Sequence, residues 1–439
     1  MLTAGEGGKM DPIRRIVVLQ PHEWLYEGFS TRNFAASAPE LERKITTRGM
    51  RFDALLPPSK VPDFGFSGVG QLRGKRLDFE GTAGAGYALA AEFEDEEALE
   101  RFASDRNEEI RGIFSDPTIA PFPVVSPTGA IGSDNDVRQK LNLASLHSAQ
   151  FDGRGVKLMI VDTGIDQSRV GVSGGFSPNP AVSPGNSPPD HGTMVAFDAC
   201  IAAPRAMVFD YPLLKSTDAG QWVGLLSDAI RVFSEIMIAV LQTPGPAVVV
   251  NSWGMYNRSQ DAPVGNPQNY SANPRHPFNQ LVTALIGAGV DVVFASGNCG
   301  STYPDTRCGS SDRGPGNSIH GANSHPEVIT VGAVTINDDA LGYSSEGPGG
   351  LASQKPDVAG FSHFVGSGVY PVDSGTSAAC PVVAGVVAAL RSKPGFKSLA
   401  PAQLKAVLMK SARDVGAPGW DPQTGWGVVD AGAALTMVP

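Results

Sequence analysis

Short apolar runs of β-type residues alternate with longer apolar stretches at helical spacing through most of the chain. An apolar run over residues 155–162 ends on Asp162 and a turn glycine, residues 222–241 predict a long apolar helix, and residues 247–251 a strand. Residues 277–288 predict a helix with proline near its start, residues 290–295 another strand, and the apolar run 382–390 a helix behind the small-residue turn around Ser377. Strand and helix in turn, joined by short connections, predict an α/β fold with a doubly wound, mostly parallel sheet and helices on both faces. Open α/β sheets place their sites at the carboxyl ends of strands, and Asp162, Asn251 and Asn298 each fall at or just past such an end.

The pattern before residue 117 differs. A strand is expected at 13–20, a short helix at 38–47, a Gly- and Pro-rich irregular stretch at 55–85 and a strand at 86–93. A charged amphipathic helix follows at 95–110, capped by Asp95 or Glu94, and then a last strand at 111–114. Residues 1–116 are therefore expected to form a separate small α+β domain. Residues 117–134 turn to Pro, Ser and Gly and read as a linker, leaving 135–439 as the α/β domain.

A chain of 439 residues with 41% apolar content can build a sizeable core, and a net charge of −10 argues against nucleic acid or an anionic membrane as partner. No stretch approaches the roughly 18 to 20 apolar residues of a membrane span. The first ten residues lack the apolar core of a secretory signal, so the expected location is the cytoplasm, with export by a non-classical route as the alternative. Of four cysteines, Cys200 and Cys380 lie in apolar runs and read as small buried fillers. Cys299 and Cys308 flank a short loop, where a disulfide and two free thiols both stay open; a zinc site is disfavoured because no second Cys/His pair lies nearby.

Ser377, in Asp373-Ser374-Gly375-Thr376-Ser377-Ala378, presents a hydroxyl at the mouth of the predicted helix. Alone it would read as a helix cap, as Asp162 would read as a turn former, His191 in Asp190-His191-Gly192-Thr193 as a loop histidine, and Asn298 as a left-handed turn residue. Together they supply what acyl transfer needs: a nucleophile, a base to take its proton, a carboxylate to orient the base and an amide donor for the oxyanion.

The order Asp, His, Ser comes with the motifs Asn251-Ser252-Trp253-Gly254, Ala295-Ser296-Gly297-Asn298, Lys355-Pro356-Asp357-Val358 and Gly425-Trp426-Gly427. From about residue 135 onward the chain therefore resembles the subtilisin-like serine peptidases, or subtilases. The resemblance implies a subtilisin-like fold, a triad of Asp162, His191 and Ser377, and Asn298 in the oxyanion hole. It implies that the backbones of Ser252, Trp253, Gly254 and of Ala295, Ser296, Gly297 wall the primary specificity pocket, although Trp253 could equally pack beneath the sheet. Residues 317–321 would close the pocket base, and an inward His320 would favour polar or acidic side chains there. No cofactor or metal is expected to be required, since residues 197–204 run directly to the next strand where relatives often carry a calcium loop; a weak calcium site stays open but is not expected. The N-terminal domain resembles the family's inhibitory prodomain, with self-cleavage to be sought within residues 121–126; a regulatory or stabilising domain is the alternative. The implied partners are a protein or peptide substrate and the chain's own N-terminal domain. A binding module that does not cut, and a transacylating relative, are the competing functions.

Overall fold

The computed structural model describes residues 12–20, 43, 45–52, 59–62, 85–106, 110–123 and 129–438. The chain divides into two compact units, Met1–Asp116 and Pro117–Pro439. Among the described residues no helix is long and apolar enough to cross a membrane.

The first unit is an antiparallel sheet of β1 (Ile13–Leu19), β2 (Met50–Phe52), β3 (Ser59–Pro62), β4 (Ala85–Phe93) and β5 (Ile110–Ser115), in the order β2-β4-β1-β5 with β3 also on β4. One helix, α1 (Glu96–Asp105), turns Ala98, Leu99 and Phe102 inward, and Phe102 meets Phe93 at 5.4 Å between ring centroids. Asp95 is the residue that caps it, accepting from the Ala98 N–H at 2.8 Å. The helix stops short of the expected end at Ile110 because Ile110 is recruited by sheet pairing, opposite Leu19. Most of the helix expected at 38–47 and of the stretch 55–85 lies outside the described residues.

The second unit is built on a seven-stranded parallel sheet. It comprises β7 (Lys157–Asp162), β8 (Gly174–Gly175), β9 (Met207–Pro212), β12 (Ala247–Asn251), β14 (Asp291–Ala295), β15 (Ile329–Val334) and β16 (Val358–Phe361), in the order β16-β15-β14-β12-β7-β9-β8. From β7 the chain steps to one side through β9, then crosses to β12 and continues outward on the other side. The order thus reverses between β7 and β12, which opens a crevice at their carboxyl ends. Asp162 closes β7 and Asn251 closes β12, so both border that crevice. The five-residue run Ala247–Asn251 is buried throughout, as a parallel strand covered on both faces must be.

Three helices matter for the site: α2 (His191–Cys200), α3 (Leu226–Gln242) and α5 (Thr376–Arg391), with α4 (Pro277–Gly287) packed on α3. All sixteen residues of α5 are buried, which explains its composition of Ala, Val and Gly. The expected helix over 222–241 starts later: Trp222–Leu225 is instead strand β11, because Gly224 and Leu225 pair with Ile119 and Thr118. Those partners belong to β6 (Thr118–Pro121), so part of the stretch read as a linker is sheet. A second, four-stranded sheet results, ordered β10 (Lys215–Ser216), β11, β6, β13 (Trp253–Gly254).

Candidate active site

Asp162 and His191 meet at the crevice. The strand delivers Asp162 fully buried, and Asp190 caps α2 by accepting from the His191 N–H at 2.7 Å, which points the imidazole back at the strand end. Asp162 Oδ1 lies 2.7 Å from His191 Nδ1, with the two side chains 0% and 1% exposed. A carboxylate on Nδ1 holds the proton there and leaves Nε2 with its lone pair. Among the described residues Nε2 has no hydrogen-bond partner. Asp190 also accepts from Trp222 Nε1 at 2.9 Å and from the Tyr370 hydroxyl, so the cap is itself held on three sides.

Ser377 is the second residue of α5. Pro381, four residues on, has no N–H to give the Ser377 carbonyl. Ser252 Oγ donates to that carbonyl instead, at 3.1 Å, tying the helix start to the end of β12. In return the Ser377 hydroxyl donates to the Ser252 carbonyl at 3.1 Å. The serine hydroxyl is thus turned to Ser252, and its hydrogen bond to histidine is not made in this state.

Asn298 is buried and fixed by both ends of its amide. Its Oδ1 accepts from Thr376 N at 3.0 Å and from Thr376 Oγ1 at 2.9 Å, which leaves Nδ2 free to donate outward. Nδ2 donates to the carbonyl of Phe122 at 2.6 Å, with a weaker contact to that of Pro123 at 3.4 Å.

The occupant of the cleft is therefore the chain itself. Strand β6 lies antiparallel to β13, pairing Pro121 with Trp253 and Ala120 with Gly254, and the Phe122 N–H donates to the Ser252 carbonyl at 3.0 Å. This is strand addition of the kind used for extended peptides. The Phe122 ring is 2% exposed and lies between glycines. A methyl group on Gly254 would come within 2.7 Å of Phe122 Cζ, and one on Gly297 within 3.5 Å. Gly375 is needed twice over: its φ is +78°, and a methyl group there would stand 2.0 Å from the Phe122 carbonyl oxygen.

The other expected pocket residues divide. Ser252 contributes its carbonyl and hydroxyl, and Gly254 and Gly297 their bare Cα atoms. Ser296 is buried, its hydroxyl 3.5 Å from that of Ser344, and the Ala295 carbonyl accepts from Asn323 Nδ2 at 2.9 Å. Trp253 lends only its backbone to the cleft; its indole is fully buried among Phe233, Phe278 and Phe294, 5.4 to 6.4 Å between centroids. His320 is buried beside Asp312. It lies 3.6 Å from Asp312 Oδ1, and burial together with the Arg258 cation pushes its imidazole down to about 4, so it is neutral. Asn323, just beyond the expected 317–321, stands against Gly254 instead and donates to the Trp253 and Ala295 carbonyls, both at 2.9 Å.

Cys299 and Cys308 are joined in a disulfide, while Cys200 and Cys380 are free. The bridged loop carries Asp305 and Arg307, which sequence reasoning left aside, and Arg307 reaches the cleft through Tyr256. Among the described residues no group of three or more His, Cys, Asp or Glu side chains is gathered as a metal ion would require.

Comparison with known proteins places this geometry. The family model described as Peptidase_S8, Subtilase family, matches residues 153–427. Subtilisin E of Bacillus subtilis (strain 168) is 27% identical over 266 residues, 58% of this chain and 60% of its own length. The membrane-bound transcription factor site-1 protease of Homo sapiens is 35% identical over 149 residues, 31% of this chain and 13% of its own. The match thus spans about three-fifths of the length of the curated subtilisin and far less of the longer protease. The crystal structure of MycP1 from Mycobacterium smegmatis shares the fold, with a TM-score of 0.50 at 21% identity over 73% of this chain and 90% of that one.

Proposed function

The chain belongs to the subtilase family, and on that premise we propose that it is a serine endopeptidase acting through Asp162, His191 and Ser377. One observation carries the reading: a peptide carbonyl, that of Phe122, rests on Asn298 Nδ2 at 2.6 Å while its side chain lies between Gly254 and Gly297. A substrate residue in the place of Phe122 would put its carbonyl carbon before Ser377. The Ser377 hydroxyl turns from the Ser252 carbonyl to His191 Nε2, gives up its proton and attacks; Asp162 stabilises the imidazolium, which returns the proton to the departing nitrogen. Asn298 Nδ2 and the Ser377 N–H receive the charge that develops on the carbonyl oxygen. The lining of bare glycines and the buried Phe122 ring support a preference for a large apolar residue before the scissile bond.

The protein is made, in this reading, as a precursor inhibited by its N-terminal domain, with β6 as the stretch that follows that domain into the cleft. Wild type and Ser377→Ala test both claims by N-terminal sequencing and intact mass. Trimming of the wild type alone near residues 116–134 supports a removable inhibitor; an untrimmed wild type that still cleaves casein rejects one. The competing reading, a cleft that binds without cutting, draws on the Ser377 hydroxyl being engaged by Ser252. Absence of fluorophosphonate labelling at Ser377 in protein freed of its N-terminal segment would favour it. The Cys299–Cys308 bridge supports the exported alternative over a reducing cytosol, and alkylation of thiols in protein from separated cell fractions tests this.

A further inference from the structure

The carbonyl one residue before Phe122 is gripped by groups that the triad and oxyanion chemistry do not use. Tyr256 Oη donates to the Pro121 carbonyl at 2.9 Å, and Arg307 Nη1 donates to the same oxygen at 3.2 Å. The two donors are locked together: Arg307 Nη2 donates to Tyr256 Oη at 2.6 Å, and its guanidinium lies 4.1 Å over the Tyr256 ring. Asp305 fixes the guanidinium from the far side, accepting from Nε at 3.0 Å and from Nη2 at 2.8 Å. The loop that carries the pair is anchored to the oxyanion residue, since the Asp305 N–H donates to the Asn298 carbonyl at 2.9 Å, and it is closed by the Cys299–Cys308 bridge. Burial keeps the Tyr256 phenol far above its ordinary range, hence protonated and able to donate.

We propose that Tyr256 and Arg307 form a positioning clamp for the backbone carbonyl of the second residue on the acyl side of the scissile bond, and that this clamp holds extended peptides in register for the cut. The proposal rests on the peptidase reading and deepens it. Two donors converging on a carbonyl read the backbone rather than a side chain. They ask for no N–H from that residue, so a proline is accepted there, as Pro121 is. The Tyr256 ring also sits 4.9 Å from the Phe122 ring, edge to face, so the clamp and the apolar pocket share one wall. The expected substrate class is an extended chain with proline or any residue second and a large apolar residue first before the cut.

The test uses the full chain and a pair of fluorogenic peptides ending in Pro-Phe, one with an ordinary carbonyl on the proline and one with a thioamide there. Sulfur is a poor acceptor, and because both peptides compete with the same internal strand, the ratio of their kcat/KM values cancels that competition. Wild type should favour the oxo peptide about tenfold, as expected for loss of a hydrogen bond to a charged group. Arg307→Met and Tyr256→Phe should each shrink the ratio, with Arg307→Lys restoring part of it, while a thioamide two residues further from the cut gives one ratio in all proteins. A merely structural role for Arg307 would move KM without moving the ratio. As a second measurement, fluorophosphonate labelling of Ser377 should quicken severalfold in Arg307→Met, because the internal strand loses the same grip. An unchanged ratio together with unchanged labelling overturns the clamp. No labelling in any of the proteins, before or after limited proteolysis has removed the N-terminal segment, overturns the peptidase reading beneath it.

Discussion

Asp162, His191, Ser377 and Asn298 hang from a strand end, helix starts and a buried turn, each no more than 1% exposed, whereas Tyr256, Asp305 and Arg307 stand on loops, with the Arg307 side chain 34% exposed. The reacting corner is held by the core: α5 is buried along its whole length, and Asp190 and Thr376 orient the histidine and the asparagine through hydrogen bonds. The rim on the other side of the Phe122 ring is held by a covalent bridge and one ion pair. A corner that must position atoms for bond making draws its rigidity from packing, while a rim that must admit a strand keeps a local closure.

The sharpest break between the two comes from truncating the corner. Ser377→Ala should lower kcat by about 10⁴ to 10⁶ in peptide hydrolysis while thermal melting shows an intact fold, since one missing member disables the unit. Asn298→Ala should cost about 10² to 10³ in kcat with little change in KM. If the loss fell on KM instead, Asn298 would be gripping rather than stabilising charge, and the corner would merge with the rim.

Rim variants should be milder and of another kind. Replacing Cys299 and Cys308 by serine should lower unfolding free energy by about 2 to 3 kcal/mol in urea titrations, the loop-closure value for so short a ring. In the same variant KM for the Pro-Phe peptide should rise more than kcat falls, because Asp305 and Arg307 lose their anchor.

A pH slope in stability, with no direct part in catalysis, is expected beneath the corner. Asp210, in β9, accepts from Ile165 N at 3.1 Å and Gly185 N at 2.8 Å in the loops after Asp162, yet burial pushes its carboxyl up to about 6. The folded state then holds a proton that the unfolded chain releases between roughly pH 4 and pH 6, so this group makes stability fall as pH rises through that window. Urea midpoints at several pH values should show the slope in wild type and lose it in Asp210→Asn.

The difference between corner and rim also decides what can be read from sequence. Asp162, His191, Ser377 and Asn298 each sit in a contiguous motif whose neighbours do the positioning: Asp190 caps His191, Gly375 clears space before Ser377, and Thr376 orients Asn298. The parallel sheet is legible for the same reason at β7, β12 and β14, which are largely apolar runs, whereas β8 is two glycines and β9 carries Asp210. Tyr256 and Arg307 are 51 residues apart and meet only over a carbonyl of β6, whose four residues include a proline and read as linker. The apolar run that begins at Trp222 reads as helix because only pairing with Thr118 and Ile119 marks its first turn as strand. Asn323 escaped because its side chain serves two backbone carbonyls that are distant in sequence.

The peptide bond that follows the carbonyl held by Asn298 joins Phe122 to Pro123. To leave, the Pro123 nitrogen would have to become pyramidal and swing its lone pair round to the imidazole. In an ordinary amide a hydrogen moves aside to allow this; here Cδ occupies the hydrogen's place and carries the whole ring with it. A secondary amine bound into a ring is a reluctant leaving group at such a site, so a peptidase with this strand in its cleft would hold a linkage that it is slow to open. On the peptidase reading, such a strand would be a stopper shaped like a meal, and its removal would fall to a cut at some other bond.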